Sequence, residues 1–168
     1  TDSTHMARLM ERLITGRQPS IAAVSGPVRA GGIGVMASCD LVVVQPDVTF
    51  AFTEVRIGVA PAIISVPILR RCPWSKLAAP FLTGETFTGK QAEEIGYATK
   101  SVPLAQLDAE TDRVVKMLSR LGRTVLRKTK EVYEKVKWMD FEAAVDYEMA
   151  KLWELSRETN DDWIRTAL

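Results

Sequence analysis

The sequence predicts an α/β fold with parallel strand pairing, followed by an all-helical tail. Residues 20–25 and 41–44 are short continuous apolar runs of the kind buried on both faces of a parallel sheet. Helical patterns alternate with such runs, and no hairpin turn signal separates any two of them. From Pro103 onward the apolar spacing is helical throughout.

Taken in order, residues 4–16 read as an amphipathic helix, with Met6, Leu9, Met10, Leu13 and Ile14 on one face and Gly16 as its stop. After the strand at 20–25, the stretch 26–34 carries Gly26, Pro27, Gly31, Gly32 and Gly34, a loop rich in backbone freedom. A short buried helix follows over 32–39. Asp40 introduces the strand 41–44, which Pro46 and Asp47 close, and a third strand lies at 49–52. Residues 62–71 and 75–83 are predicted helical, broken by Pro73, and 89–95 is a brief helix stopped by Gly96. Residues 97–102 return to a strand. Three helices then occupy 103–121, 124–137 and 140–157, with a fourth expected in the last residues. The predicted division is an α/β part over 1–102 and a helical part over 103–168.

Composition narrows the function classes. The 168 residues hold 46% hydrophobic and 26% charged residues, ordinary values for a chain that can support its own core. A net charge of +1 argues against a dedicated nucleic-acid binder. No apolar run approaches the ~20 residues needed to cross a bilayer. Cys39 and Cys72 are too few for a disulfide scaffold or a zinc site, so Cys39 reads as a small core residue. His5 is the only histidine and lies at the start of the chain, which argues against a Ser-His-Asp or Cys-His mechanism and against a His-rich metal site. The expectation is a cytoplasmic protein with no membrane and no nucleic-acid partner. The chain opens Thr-Asp-Ser-Thr-His-Met, without an initiator Met, and the expectation from this is a fragment of a longer protein.

Four features bear on chemistry. Arg29-Ala30-Gly31-Gly32-Ile33-Gly34 lies between a strand and a helix, where backbone N–H groups at a positive helix end can meet an anion; the same residues also suit a plain tight turn. It lacks both the G-x-G-x-x-G spacing and a P-loop Lys. Glu54 sits between apolar runs, where a carboxylate removed from water is suited to proton transfer; the alternative is a salt bridge to Arg56 or Arg29. Residues 116–137 carry eight Lys and Arg against Glu131 and Glu134, either a solvated helix face or a phosphate-binding one. Phe141, Val145, Met149 and Leu152, with Trp153 and Leu155 beside them, form a packing face, on the core or on another subunit.

Read together, the order of motifs resembles the crotonase (enoyl-CoA hydratase/isomerase) superfamily. The residues that carry the likeness are Pro19-Ser20-Ile21-Ala22-Ala23-Val24-Ser25-Gly26-Pro27, then Ala30-Gly31-Gly32-Ile33-Gly34, Cys39-Asp40, and the run from Phe50 through Thr53-Glu54-Val55-Arg56-Ile57-Gly58 to Pro61. Leu82-Thr83-Gly84-Glu85 and Ala92-Glu93-Glu94-Ile95-Gly96-Tyr97-Ala98, ending at Val102-Pro103, continue it.

The resemblance implies a crotonase-like spiral of ββα turns, here partial, carrying a helical C-terminal region that packs as homotrimers or pairs of trimers. It implies an acyl-CoA thioester substrate and no metal or redox cofactor. Gly31 would supply one N–H of an oxyanion hole, where such a donor is worth ~3–4 kcal/mol, and Glu54 would be the acid/base. Substrate contacts are implied at Gly32, Thr53, Pro61 and Ile63. Two departures stand out. The family's earlier Ala-x-x-Ala-Asp loop, source of the other oxyanion N–H, is absent, and Gly34 stands where two-glutamate hydratases carry a second Glu. The implied function is an enoyl-CoA hydratase, with a Δ3,Δ2-enoyl-CoA isomerase and a non-catalytic acyl-CoA-binding or assembly subunit as alternatives.

Overall fold

The computed structural model describes residues 2–159, so the helix expected in the last residues lies outside the described part. The chain divides into two compact units. The first runs to Met117 apart from Arg17–Pro19, and the second takes those three residues with the chain from Leu118 on.

The first unit is mixed α/β. It comprises α1 (Asp2–Thr15), β1 (Ile21–Val24), β2 (Val28–Arg29), α2 (Gly31–Ser38), β3 (Leu41–Val44) and β4 (Thr49–Ala51). After a 3-10 turn at Thr53–Ile57 come α3 (Ala62–Arg71), α4 (Trp74–Thr83), β5 (Phe87–Thr88), α5 (Gly89–Glu94), β6 (Lys100–Ser101) and most of α6 (Leu104–Ser119). Two three-stranded sheets result, in the orders β1-β3-β6 and β2-β4-β5. The first is parallel throughout, with Ile21 to Val24 in register with Leu41 to Val44. The expected parallel pairing thus holds, except that β4 and β5 run antiparallel.

Side chains pin the strand starts. The Asp40 carboxylate accepts from the N–H of Ser20 at 2.7 Å and from its hydroxyl at 3.0 Å, which aligns the entries of β1 and β3. Thr99 serves β3 twice: its Oγ1 accepts from the Val42 N–H and its own N–H donates to the Val42 carbonyl. The strand expected over 97–102 shrinks to Lys100–Ser101 for a related reason. Gly96 turns the chain at φ 80°, and Tyr97 is thrown fully into the core. Arg71 fixes this bend by donating to the carbonyls of Tyr97 and Cys39 at 2.7 and 2.5 Å.

The core is built on Ile33, Val42, Val44, Ile68, Leu77 and an aromatic group of Phe50, Phe52, Phe81, Phe87 and Tyr97. Cys39 and Cys72 are buried in it and form no disulfide. Burial pushes the Cys72 thiol above its ordinary value, and its S–H donates to the Ile95 carbonyl. Leu107 of α6 joins a small cluster with Val43 and Val102.

The second unit contains α7 (Arg123–Val136) and α8 (Phe141–Thr159). Part of the basic stretch is neutralised within it. Lys128 is buried against the Glu154 carboxylate at 3.0 Å, Lys151 reaches the same oxygen at 2.8 Å, and Lys137 meets Glu134 at 2.8 Å. On α8, Phe141, Val145, Met149, Leu152 and Trp153 remain exposed, Phe141 to 85%. No helix among the described residues is long and apolar enough to cross a membrane.

Gly34 governs how closely α2 packs. A Cβ there would lie 2.7 and 2.8 Å from Ile64 side-chain carbons and 2.9 Å from the Met10 sulfur, so α1 and α3 close onto α2 only because this position is bare. Gly34→Ala is expected to cost about 1–3 kcal/mol through overpacking. Gly26→Ala, where a Cβ meets nothing within 4 Å, should stay within about 0.5 kcal/mol of the parent. Urea midpoints of the two variants check this contrast.

Candidate functional site

The site forms where the 3-10 turn, the start of α2 and the start of α3 converge. Phe52 is fully buried, its ring 4.5 Å from that of Phe81, and it anchors the chain as it enters the turn Thr53–Ile57. The turn ends at Gly58, whose φ of 76° lies in the left-handed region that a side chain disfavours. The Val59 N–H donates back to the Glu54 carbonyl at 3.0 Å. These bonds fix the Glu54 backbone and leave its side chain on the inner side of the turn.

There the carboxylate has an unusual setting. Its Oε2 is buried and has no hydrogen-bond partner in the described structure. Neither of the two candidate arginines answers it. Arg56 donates to the Gly84 carbonyl at 2.5 Å, and Arg29 donates to the Thr49 carbonyl and hydroxyl at 2.5 and 2.8 Å. The fold therefore does not build the ion-pair alternative. A buried carboxylate oxygen without a donor carries a desolvation cost that is retained mainly where chemistry or binding needs it.

The start of α2 is also held against its intrinsic preference. Ala30 adopts φ 48° and ψ −127°, and is the one non-glycine with positive φ among the described residues. Such a conformation costs on the order of 1–3 kcal/mol and persists only under external constraint. The constraint comes from β2, paired with β4 and tied by Arg29 to Thr49, and from the Ile33 N–H, which donates to the Ala30 carbonyl at 2.9 Å. The result is a helix that begins at Gly31 with no side-chain cap. Its first N–H groups, carrying the positive end of the helix dipole, have no intrahelical acceptor.

A cleft of about 340 Å³ joins these parts, lined by Met6, Gly31, Glu54, Ala60, Pro61, Ala62, Ile63 and Ile64. Of the residues predicted from sequence, Glu54, Gly31, Pro61 and Ile63 come together in it. Gly32 and Thr53 lie outside its lining, Gly32 exposed beside Val28 and Thr53 at the head of the 3-10 turn. Sequence reasoning missed Met6, Ala60, Ala62 and Ile64. Met6 had a signal, the apolar face it shares with Met10, one helical turn away. Ile64 had one in its spacing from Ile68, both being buried on α3.

Apart from Glu54 the lining is apolar, with Gly31 contributing backbone at a helix N-terminus. Such a cleft can hold an uncharged organic group, stabilise developing negative charge at the helix end and move a proton at the carboxylate.

Comparison with known proteins identifies the family. The family model for enoyl-CoA hydratase/isomerase matches residues 2–160. A hydroxycinnamoyl-CoA hydratase-lyase of Pseudomonas fluorescens is 32% identical over 80% of this chain and 49% of its own length. The crystal structure of an enoyl-CoA hydratase from Mycobacterium avium is 39% identical, with a TM-score of 0.75 over 86% of this chain and 54% of that one. That of human enoyl-CoA hydratase domain-containing protein 3 is 26% identical, with a TM-score of 0.87 over 92% and 61%. The chain spans about half the length of the relatives it matches. With a family match across nearly all its residues and a fold shared with solved members, the chain belongs to the enoyl-CoA hydratase/isomerase family.

Proposed function

We propose that the chain acts as an enoyl-CoA hydratase-like enzyme that adds water across the double bond of a 2-enoyl-CoA thioester, with oxyanion-hole stabilisation of an enolate and one Glu as acid/base. The observation that carries this reading is the buried, unpartnered Glu54 Oε2 in an apolar cleft that also contains Gly31 at the start of α2. The Gly31 N–H donates to the thioester oxygen as it gains enolate charge, reinforced by the helix dipole. Glu54 takes a proton from the incoming water or returns one to the α-carbon. Pro61 and Ile63, with Met6 and Ile64, contact the acyl group. The relatives' names refer to different acyl groups, hydroxycinnamoyl and mevalonyl among them, on a constant CoA thioester, which supports the thioester rather than any one acyl chain as the shared element. The proposal needs no metal or redox cofactor, because a thioester already acidifies its α-carbon. Assembly as a homotrimer or hexamer through the helical part is proposed on the exposed apolar residues of α8. A cytoplasmic location is proposed on the two disulfide-free cysteines, although some relatives are named as mitochondrial.

A second reading, Δ3,Δ2-enoyl-CoA isomerase, is supported by a specific observation. Glu54 is the one carboxylate lining the cleft, and Gly34 is closed off by Ile64 and Met10, so a lone group would move a proton between two carbons.

Glu54→Gln is expected to lower turnover of a 2-enoyl-CoA by ~10²-fold or more, followed by loss of the conjugated thioester absorbance. An unchanged rate removes Glu54 from the mechanism. The same variant should keep or slightly raise Tm, since it replaces a carboxylate that has one buried, unpartnered oxygen with a neutral isostere; a marked fall in Tm would point to a structural ion pair instead. Incubation with a 3-enoyl-CoA separates the two readings. Conjugated product without any 3-hydroxyacyl product assigns isomerisation. Binding of the CoA ester with neither reaction assigns a non-catalytic subunit.

A further inference from the structure

Tyr97 is the largest fully buried side chain of the described structure, and it lies outside the cleft lining. Its ring is held edge-on by Phe50 and Phe87, at centroid distances of 6.1 and 6.0 Å and interplanar angles of 75° and 78°. Its backbone is fixed on both sides, the N–H donating to the Ala92 carbonyl and the carbonyl accepting from Arg71. With ring and backbone set, the phenol has little freedom, and it donates to the Ile33 carbonyl at 2.6 Å across a sequence separation of 64 residues. Burial also pushes the phenol well above its ordinary value, so it remains a donor over the working range of pH.

Satisfying Ile33 does not require this bond. In a helix running Gly31–Ser38, the Ile33 carbonyl already faces the N–H of Ala37, and the phenol occupies its second lone pair. Phenylalanine would fill the same core volume without bringing a hydroxyl that needs a partner. What the extra bond reaches is the first turn of α2. The Ile33 N–H donates to the carbonyl of Ala30, the residue held at positive φ, and the peptide between Ala30 and Gly31 carries the N–H of a residue that lines the cleft. The phenol thus grips, from the core side, the turn that follows the strained Ala30 and begins with Gly31.

We propose that Tyr97 is a positioning residue: its hydroxyl, through Ile33 and Ala30, sets the direction of the Gly31 N–H toward the thioester oxygen. This inference rests on the reading of Gly31 as the donor to that oxygen. The role is indirect, since Tyr97 lies outside the lining of the cleft that holds Glu54.

The test is Tyr97→Phe in the full chain, by kinetics on a 2-enoyl-CoA and by ¹H–¹⁵N NMR of the backbone amides. A donor that is misaimed in the transition state lowers kcat while ground-state binding holds. The expectation is therefore a fall in kcat of about fivefold, with KM within about twofold and the pH profile unmoved. The Gly31 and Gly32 amide resonances should shift, and those of α4 should not. A loss confined to Tm, with kcat within twofold, overturns the proposal, as does a rise in KM at constant kcat. If the parent chain turns over no enoyl-CoA, the hydratase reading fails by itself. The amide resonances then decide whether Tyr97 sets the Gly31 geometry: shifts at Gly31 and Gly32 uphold it, and their absence overturns it. Should the Phe variant not fold, 3-fluorotyrosine at position 97, which keeps a more acidic hydroxyl in place, must move the same two resonances.

Discussion

The close approach of α3 and α1 to α2 at Gly34 is the constraint on which the rest of the cleft depends. A single Cβ at that point would overlap Ile64 and crowd the Met10 sulfur, so the separation of three helices is set by one missing side chain. That separation in turn locates the walls. Ile64 follows directly on the Pro61–Ala62–Ile63 segment that opens α3, and Met10 lies one turn beyond Met6 on α1, so both linings move with the helices that carry them. The cleft takes most of its apolar lining from the ends of helices that meet there.

Against this apolar frame the structure retains two costly features, and both belong to the cleft. Glu54 has a buried oxygen without a donor, and Ala30 has a backbone conformation that residues with a Cβ avoid. Each is held by bonds that lie away from the cleft. The 3-10 turn closes on the Glu54 carbonyl and is followed by a left-handed Gly58, while Arg29, β4 and the Ile33 N–H hold the entry to α2. Arg56, two residues from Glu54, is committed to the Gly84 carbonyl. Commitment of both arginines elsewhere leaves the carboxylate available to a ligand.

The elements were legible to differing degrees, and the differences have physical causes. The apolar period places helices such as α3 and α7 to within a residue, because 10 or more residues repeat the same facial pattern. The two-residue strands β2 and β5 were invisible: a segment that short has no periodicity, and its strand character comes wholly from pairing with β4. The shortening of the strand expected over 97–102 came from Arg71, a residue 26 positions before Tyr97, whose guanidinium holds the bend. Within the site, Glu54 and Gly31 stood out because a lone carboxylate between apolar runs and a glycine-rich strand-to-helix loop are local signals. Met6 and Ile64 did not, since apolar residues on helical faces are read as core whether they meet another helix or a cleft.

The sequence by itself determined the α/β class, the order of the helices, the family resemblance and the identity of a single candidate carboxylate, all of which depend on local pattern and motif order. Only the tertiary structure decided that Glu54 lacks a partner, that Gly34 is closed by Ile64 and Met10, and that Tyr97 reaches Ile33 from 64 residues away. Those are statements about which distant groups share a volume. Hydrogen bonds and steric exclusion act across space, and local composition does not encode which donors the folded chain leaves uncommitted.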